Sequence, residues 1–194
     1  MLRFLLLVGF MLLLAGCSSL RTEAPLPENQ DQRQARLLKD WQLEGRINIR
    51  QADKSESASI QWQQKDTAYL INLTAGPFNQ GVARLEGRPG QVEMTVAGED
   101  DRYVARSPEA LMQGVLGWSL PVSHANWWIR GVPDPFFPFQ EVVMDQGYAF
   151  HQAGWQIQIQ RYQQTEQGLI LPGRLRMQRE SLQVTLAIHR WRLP

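Results

Sequence analysis

The chain has 194 residues, 20 Lys+Arg against 19 Asp+Glu, and one cysteine. That length fits a single domain able to bury a core of its own, and a lone cysteine excludes an internal disulfide. The charge is balanced and dispersed, without the basic stripe of a nucleic-acid binder.

Arg3 precedes an apolar run at residues 4–14 (FLLLVGFMLLL), followed by Leu14-Ala15-Gly16-Cys17. A positive start, a short apolar stretch and small residues before a cut mark a secretory signal. The run is too short for a comfortable membrane span, which takes roughly 20 residues. With cysteine just after the cut, the segment resembles a bacterial lipobox, which implies cleavage after Gly16 and lipid attachment at Cys17. The expected organisation is a signal peptide at 1–16, an acylated N-terminus and tether at 17–28, and one domain at 29–194. Residues 18–28 (SSLRTEAPLPE) are polar, carry two prolines and show no periodicity, as a tether does. Loss of Arg3 with the leader leaves the mature chain formally neutral, at 19 Lys+Arg against 19 Asp+Glu.

Residues 29–40 (NQDQRQARLLKD) lack Gly and Pro and predict a polar helix that touches the body through Ala35, Leu37 and Leu38. From Trp41 the period changes to two. Trp41, Leu43, Ile47 and Ile49 alternate with polar residues, as do Ala58, Ile60 and Trp62, then Tyr69, Ile71 and Leu73, then Val92, Met94 and Val96. Such alternation marks antiparallel strands with one dry face and one wet face. Asp53-Lys54-Ser55, Lys65-Asp66 and Gly87-Arg88-Pro89-Gly90 break the runs at hairpin spacing.

Ser107-Pro108-Glu109 predicts an N-cap and first turn, with Ala110, Leu111, Val115 and Leu116 as the helical stripe. Ser123 is the expected cap of a second short helix through Trp127, Trp128 and Ile129, ended by Gly131. Three prolines in residues 132–138 (VPDPFFP) exclude regular structure there. Strands return at Tyr148–His151, at Trp155, Ile157 and Ile159, at Leu175 and Met177, and at Leu182, Val184, Leu186 and Ile188.

These elements predict an α+β fold, mainly β: an unclosed, strongly curved antiparallel β-barrel whose helices form a lid or plug over an apolar cavity. A solidly packed β-sandwich satisfies the same alternation. The inward residues Ile47, Ile60, Trp62, Ile71, Leu73, Met94, Trp155, Ile157 and Leu186 are the candidate cavity walls, with Leu111, Leu116 and Trp128 from the lid; as plain core they would alternate identically.

No motif for catalysis stands out. His124, His151 and His189 lie far apart, and Gly-x-Ser-x-Gly and a phosphate-cradling glycine loop are both missing. The protein is therefore not expected to be an enzyme, to hold a metal or cofactor, or to bind nucleic acid. The turn Gly76-Pro77-Phe78-Asn79 between two predicted strands is more telling. Phe78 at its tip either folds back to cap the core or protrudes, where an apolar side chain can enter a nearby membrane.

Trp41-x-Leu43-x-Gly45-Arg46, Trp62-Gln63-Gln64, Gly76-Pro77-Phe78, residues 117–122 (GWSLPV), 127–131 (WWIRG), Gly154-Trp155, Leu171-Pro172 and Arg190-Trp191 occur in one order along nearly the whole mature chain. Together they resemble the LolB family of outer-membrane lipoproteins. The resemblance implies an open barrel with a helical lid around an apolar cavity. It also implies a periplasm-facing, lipid-anchored protein that accepts lipoproteins from the soluble carrier LolA and inserts them into the inner leaflet of the outer membrane. The implied partners are LolA, client acyl chains and outer-membrane phospholipid, with the protein itself a monomer. An apolar residue on a protruding loop matters for insertion in the family; Phe78 stands there, where the pattern more often has Leu. Ser18, rather than Asp, after Cys17 agrees with outer-membrane sorting in that family. The alternatives are a related open-barrel lipoprotein that carries lipid, or an envelope-assembly scaffold.

Overall fold

The computed structural model describes residues 29–76, 80–116, 119–145 and 147–194. Helix α1 (Asn29–Leu37) leads into β1 (Asp40–Gln51), β2 (Lys54–Lys65), β3 (Ala68–Ala75), β4 (Gln80–Arg88), β5 (Gln91–Val96) and β6 (Arg102–Ala105). Two short helices follow, α2 (Pro108–Leu116) and α3 (Val122–Trp128). The chain ends with β7 (Phe139–Val142), β8 (Tyr148–Gln152), β9 (Trp155–Gln164), β10 (Ile170–Arg179) and β11 (Leu182–Arg192). All 11 strands form one sheet in the order β6-β5-β4-β3-β2-β1-β11-β10-β9-β8-β7. Its neighbours are antiparallel, and β6 and β7 are left as free edges, so the barrel is open.

The alternation read from sequence is the alternation of burial. In β1, Trp41, Leu43 and Ile47 are buried while Asp40, Gln42 and Arg46 are exposed. In β11, Leu182, Val184, Leu186 and Ile188 point inward in the same way. The two edge strands carry no sequence signal because each has only four residues. Short edges also limit pairing with other chains.

Curvature has a local cause at Gly45. The β1–β11 register shifts between Glu44 and Gly45, and a Cβ at Gly45 would collide with the Ala187 carbonyl oxygen. Glycine lets the strands approach where the sheet bends.

The α2 N-terminus forms as read: the Ser107 hydroxyl accepts the Ala110 N–H at 3.2 Å. Ser123, in contrast, does not cap α3. Pro121 occupies that position, and the Ser123 backbone N–H and hydroxyl both face the Glu109 carboxylate, 14 residues back. A carboxylate brought close by the helix–helix turn has captured the serine. Gly131 ends the helical run at φ +81°, as expected.

Arg130 locks α1 to α3. Its guanidinium donates to the carbonyls of Ala35 at 2.9 Å, Leu38 at 2.6 Å and Asn126 at 2.9 Å, and lies 4.3 Å from the Trp127 ring centre. A cation at the last carbonyls of a helix satisfies acceptors that would otherwise be orphaned. Burial pulls this guanidinium down to about 10, against the opposing pull of Asp134. Substituting Arg130→Met keeps the apolar stem and removes every donor. It should lower the unfolding free energy by about 2–4 kcal/mol in urea titration; unchanged stability would show that the carbonyls find other partners.

Candidate functional site

The concave face divides into two unlike halves. Over β8–β11 it is solid: Trp128, Phe150, Trp155, Ile157, Ile159, Leu171, Leu175 and Val184 are each 0% exposed. Trp128 from α3 packs on Trp155 with ring centres 6.2 Å apart. Over β1–β5 the packing loosens toward one rim. Leu73, Ile49 and Val96 are only partly buried, and an apolar cleft remains.

An aromatic row floors this second half. Trp191 meets Trp41 edge-on at 5.5 Å, Trp41 meets Trp62 at 5.6 Å, and Trp62 meets Tyr69 at 6.2 Å. The Tyr69 ring lies across Gly87, where a Cβ would strike it. Such a ring covers the gap a glycine leaves in a sheet. The indole N–H of Trp62 donates to Gln64 at 3.0 Å, and that of Trp191 to the Pro172 carbonyl at 2.9 Å, so their polar ends are satisfied. Burial pushes the Tyr69 hydroxyl up from its ordinary value, with the Glu109 charge adding to the effect.

Above this floor the cleft is walled by Ile47, Ile60, Trp62, Ile71, Leu73 and Met94, with Ala83 and Leu85 from β4 and Met112, Leu120 and Val122 from the cover. Its free volume is about 40 Å³. That admits roughly three water-sized spheres, against the roughly 300 Å³ or more of an ordinary ligand pocket. A larger hollow of about 710 Å³ lies on the outer face of β2–β6. It is lined by charged side chains that pair among themselves, Arg84 with Glu86 and Arg102 with Glu93. Its chemistry does not suit an acyl chain.

Six of the wall residues expected from sequence thus meet around one space. Trp128, Trp155, Ile157 and Leu186 do not border it; they are buried core, and Trp128 of α3 packs on Trp155. Leu111 is also core, and its neighbour Met112 faces the cleft instead. Cys17, Pro77, Phe78 and the side chain of Leu116 lie outside the described residues; Gly76, at φ +79°, is described at the start of its turn. Ala83 and Leu85 were missed although they alternate with Arg84 and Glu86. Apolar Val82 faces outward at 39% exposed and disguises the phase of the strand.

His124 pairs with Asp134 at 2.8 Å and stacks on Trp128, so it braces the loop that follows α3. Among the described residues no group of three or more His, Cys, Asp or Glu is placed to hold a metal. No described helix is long and apolar enough to cross a membrane.

The open, curved antiparallel barrel with its short helical cover is a fold shared with solved structures. It is similar to a DUF1329 family protein from Desulfovibrio piger (TM-score 0.55, 10% identity, covering 84% of this chain and 88% of that one). It is likewise similar to a domain from Vibrio parahaemolyticus described as outer membrane lipoprotein-sorting (TM-score 0.52, 7% identity, 84% and 91% covered). At those identities the likeness is one of fold. The family model "Outer membrane lipoprotein LolB" matches residues 39–191. Outer-membrane lipoprotein LolB of Pseudomonas fluorescens is 38% identical, and that of Pseudomonas aeruginosa 40%, each over 98% of this chain and 96% of the relative. That of Pseudomonas putida is 41% identical over 92% and 90%. The chain belongs to the LolB family of outer-membrane lipoproteins.

The cleft makes a direct prediction. Met94→Ala removes a wall side chain that is 2% exposed, at a cost of about 2–4 kcal/mol. It should also raise the binding of an apolar fluorescent probe, read by titration. A probe that binds no better would place its site elsewhere.

Proposed function

We propose that this protein accepts the acyl chains of client lipoproteins from a soluble periplasmic carrier, LolA, and releases them into the inner leaflet of the outer membrane. The observation that carries the reading is the cleft between β1–β5 and α2–α3, apolar on every wall and roofed by short helices, in a chain of the LolB family. At about 40 Å³ it is contracted, so a chain enters by displacing the cover. Side chains such as Met94 and Met112 adapt to a flexible guest.

Transfer through this site runs downhill in affinity. Each additional factor of ten takes about 1.4 kcal/mol, which roughly two more buried methylenes supply. The bilayer is a still better solvent for acyl chains, and it drives release once the mouth lies against it. In this reading Cys17 carries the lipid that keeps the domain at the membrane. Ala75 and Gln80 pair at the end of the β3–β4 hairpin, and in this reading Phe78, between them in sequence, acts where release occurs. The protein acts as a monomer and does no covalent chemistry on its client.

The deciding experiment is in vitro handover of a fluorescent lipoprotein from its carrier to liposomes. Phe78→Glu should leave acceptance from the carrier intact and abolish most delivery to liposomes; full delivery would remove Phe78 from the mechanism. Leu73→Asp puts a carboxylate into the cleft and should abolish binding of a fatty-acyl probe while the circular-dichroism spectrum stays folded. Normal probe binding would show that Leu73 is not wall. Cys17→Ala behind a cleavable signal should yield a domain that fractionates away from membranes, and persistent membrane fractionation would reveal a second tether.

A further inference from the structure

Among the described residues, eight large apolar side chains are exposed, and five of them crowd into nine consecutive positions. They are Phe136 (80%), Phe137 (50%), Phe139 (44%), Val143 (100%) and Met144 (37%). The other three, Leu37, Val82 and Val104, sit singly on separate elements. Scattered apolar residues are ordinary, whereas a contiguous cluster marks a contact surface.

The cluster is held outward by buried polar contacts. Gln152, 2% exposed, accepts from the Trp128 indole at 2.7 Å and the Asp134 N–H at 2.8 Å. Its amide donates to the carbonyls of Asp134 and Phe137, each at 2.9 Å. The Asp134 carboxylate in turn accepts the Phe136 N–H at 3.0 Å. Pro133, Pro135 and Pro138 fix the backbone around the two phenylalanines. Backbone on both sides of Phe136 is therefore pinned; its ring stays largely in solvent with one edge-on contact to Trp127 at 6.3 Å, and Phe137 meets His124 edge-on at 4.5 Å.

Strand register locates the cluster. Phe139 opens β7 opposite Gln152, beside the β8–β9 turn. The same strand ends carry the β1–β2 turn, after the Gln51–Lys54 pair, and the β3–β4 turn, after Ala75–Gln80. Phe136, Phe137 and Phe139 thus share the rim toward which the cleft loosens, near the β7 edge.

We propose that residues 136–139 form a membrane contact in their own right, with the phenylalanines entering the headgroup–acyl boundary of a phospholipid leaflet. Three features commit the surface to lipid. Residues 135–140 (PFFPFQ) carry no charge and three aromatic rings, the composition of an interfacial segment rather than of a polar-rimmed protein site. Membership in a family of outer-membrane lipoproteins places the domain beside a bilayer. The 12 residues from Cys17 to Asn29 reach about 40 Å at about 3.3 Å each. That exceeds the length of ten-residue β9, about 33 Å, so the tether lets this rim turn to the membrane. The proposal rests on anchorage at a bilayer and not on lipoprotein transfer.

The test uses the full acylated chain in liposomes of phosphatidylethanolamine and phosphatidylglycerol. With Cys17 occupied by lipid, Gln140→Cys supplies one free thiol for a nitroxide label while every native phenylalanine is kept. The label should be reached by oxygen and shielded from a water-soluble nickel complex, at a depth of roughly 5–10 Å. A label at Thr67→Cys, in the β2–β3 turn at the opposite rim, should stay aqueous. Adding Phe136→Ser, at a highly exposed position, should return the Gln140 label to water. A label at 140 that is aqueous in liposomes overturns the proposal, as does one shielded only when a carrier protein is added. Lipoprotein delivery is measured on the same samples, so failure of transfer with a buried label would overturn the transfer reading alone.

Discussion

A sheet with one apolar face cannot leave that face in water, and everything else in this fold answers that constraint. Eleven strands with alternating burial present far more dry surface than two short helices can roof. The sheet therefore curls, helped at Gly45 by a bulge that only glycine tolerates, and the cover concentrates on one side. Over β8–β11 the coverage is complete. Over β1–β5 it stops short, and the remainder is the cleft.

The division gives each half a different mechanical character. Rings and branched aliphatics of the β8–β11 half are fully buried, and in a close-packed core small changes of volume are felt. On the other half, Met94, Met112 and half-buried Leu73 border free space, and the roof is made of short helices rather than a long one. Segments with few buried contacts open at lower cost than the global fold. One sheet thus supplies both a rigid frame and a yielding pocket, without a domain boundary between them.

Much of this was legible in the sequence, and the remainder was hidden for identifiable reasons. Period-two alternation announced the long strands and the inward set Ile47, Ile60, Trp62, Ile71, Leu73 and Met94. It announced Trp155 and Ile157 in the same way, because periodicity tells which way a side chain points and not what stands opposite. Whether α3 packs on a given tryptophan is decided by contacts remote in sequence. Strands β6 and β7 were too short to show any period. The Ser123 cap failed through a carboxylate on another helix. Phe136 and Phe137 were read correctly as irregular, but only the buried Gln152 clamp reveals that their backbone is pinned.

Arg130 has a consequence for how force enters the molecule. The first described element is α1, and its last carbonyls are gripped from the α3 side by a buried guanidinium. A pull on the anchored N-terminus is thus shared between β1 and the helical roof rather than borne by the sheet alone. The domain hangs from its cover as a bell hangs from its crown. Under the proposed transfer, motion of a lipid at Cys17 reaches the helical roof through this contact.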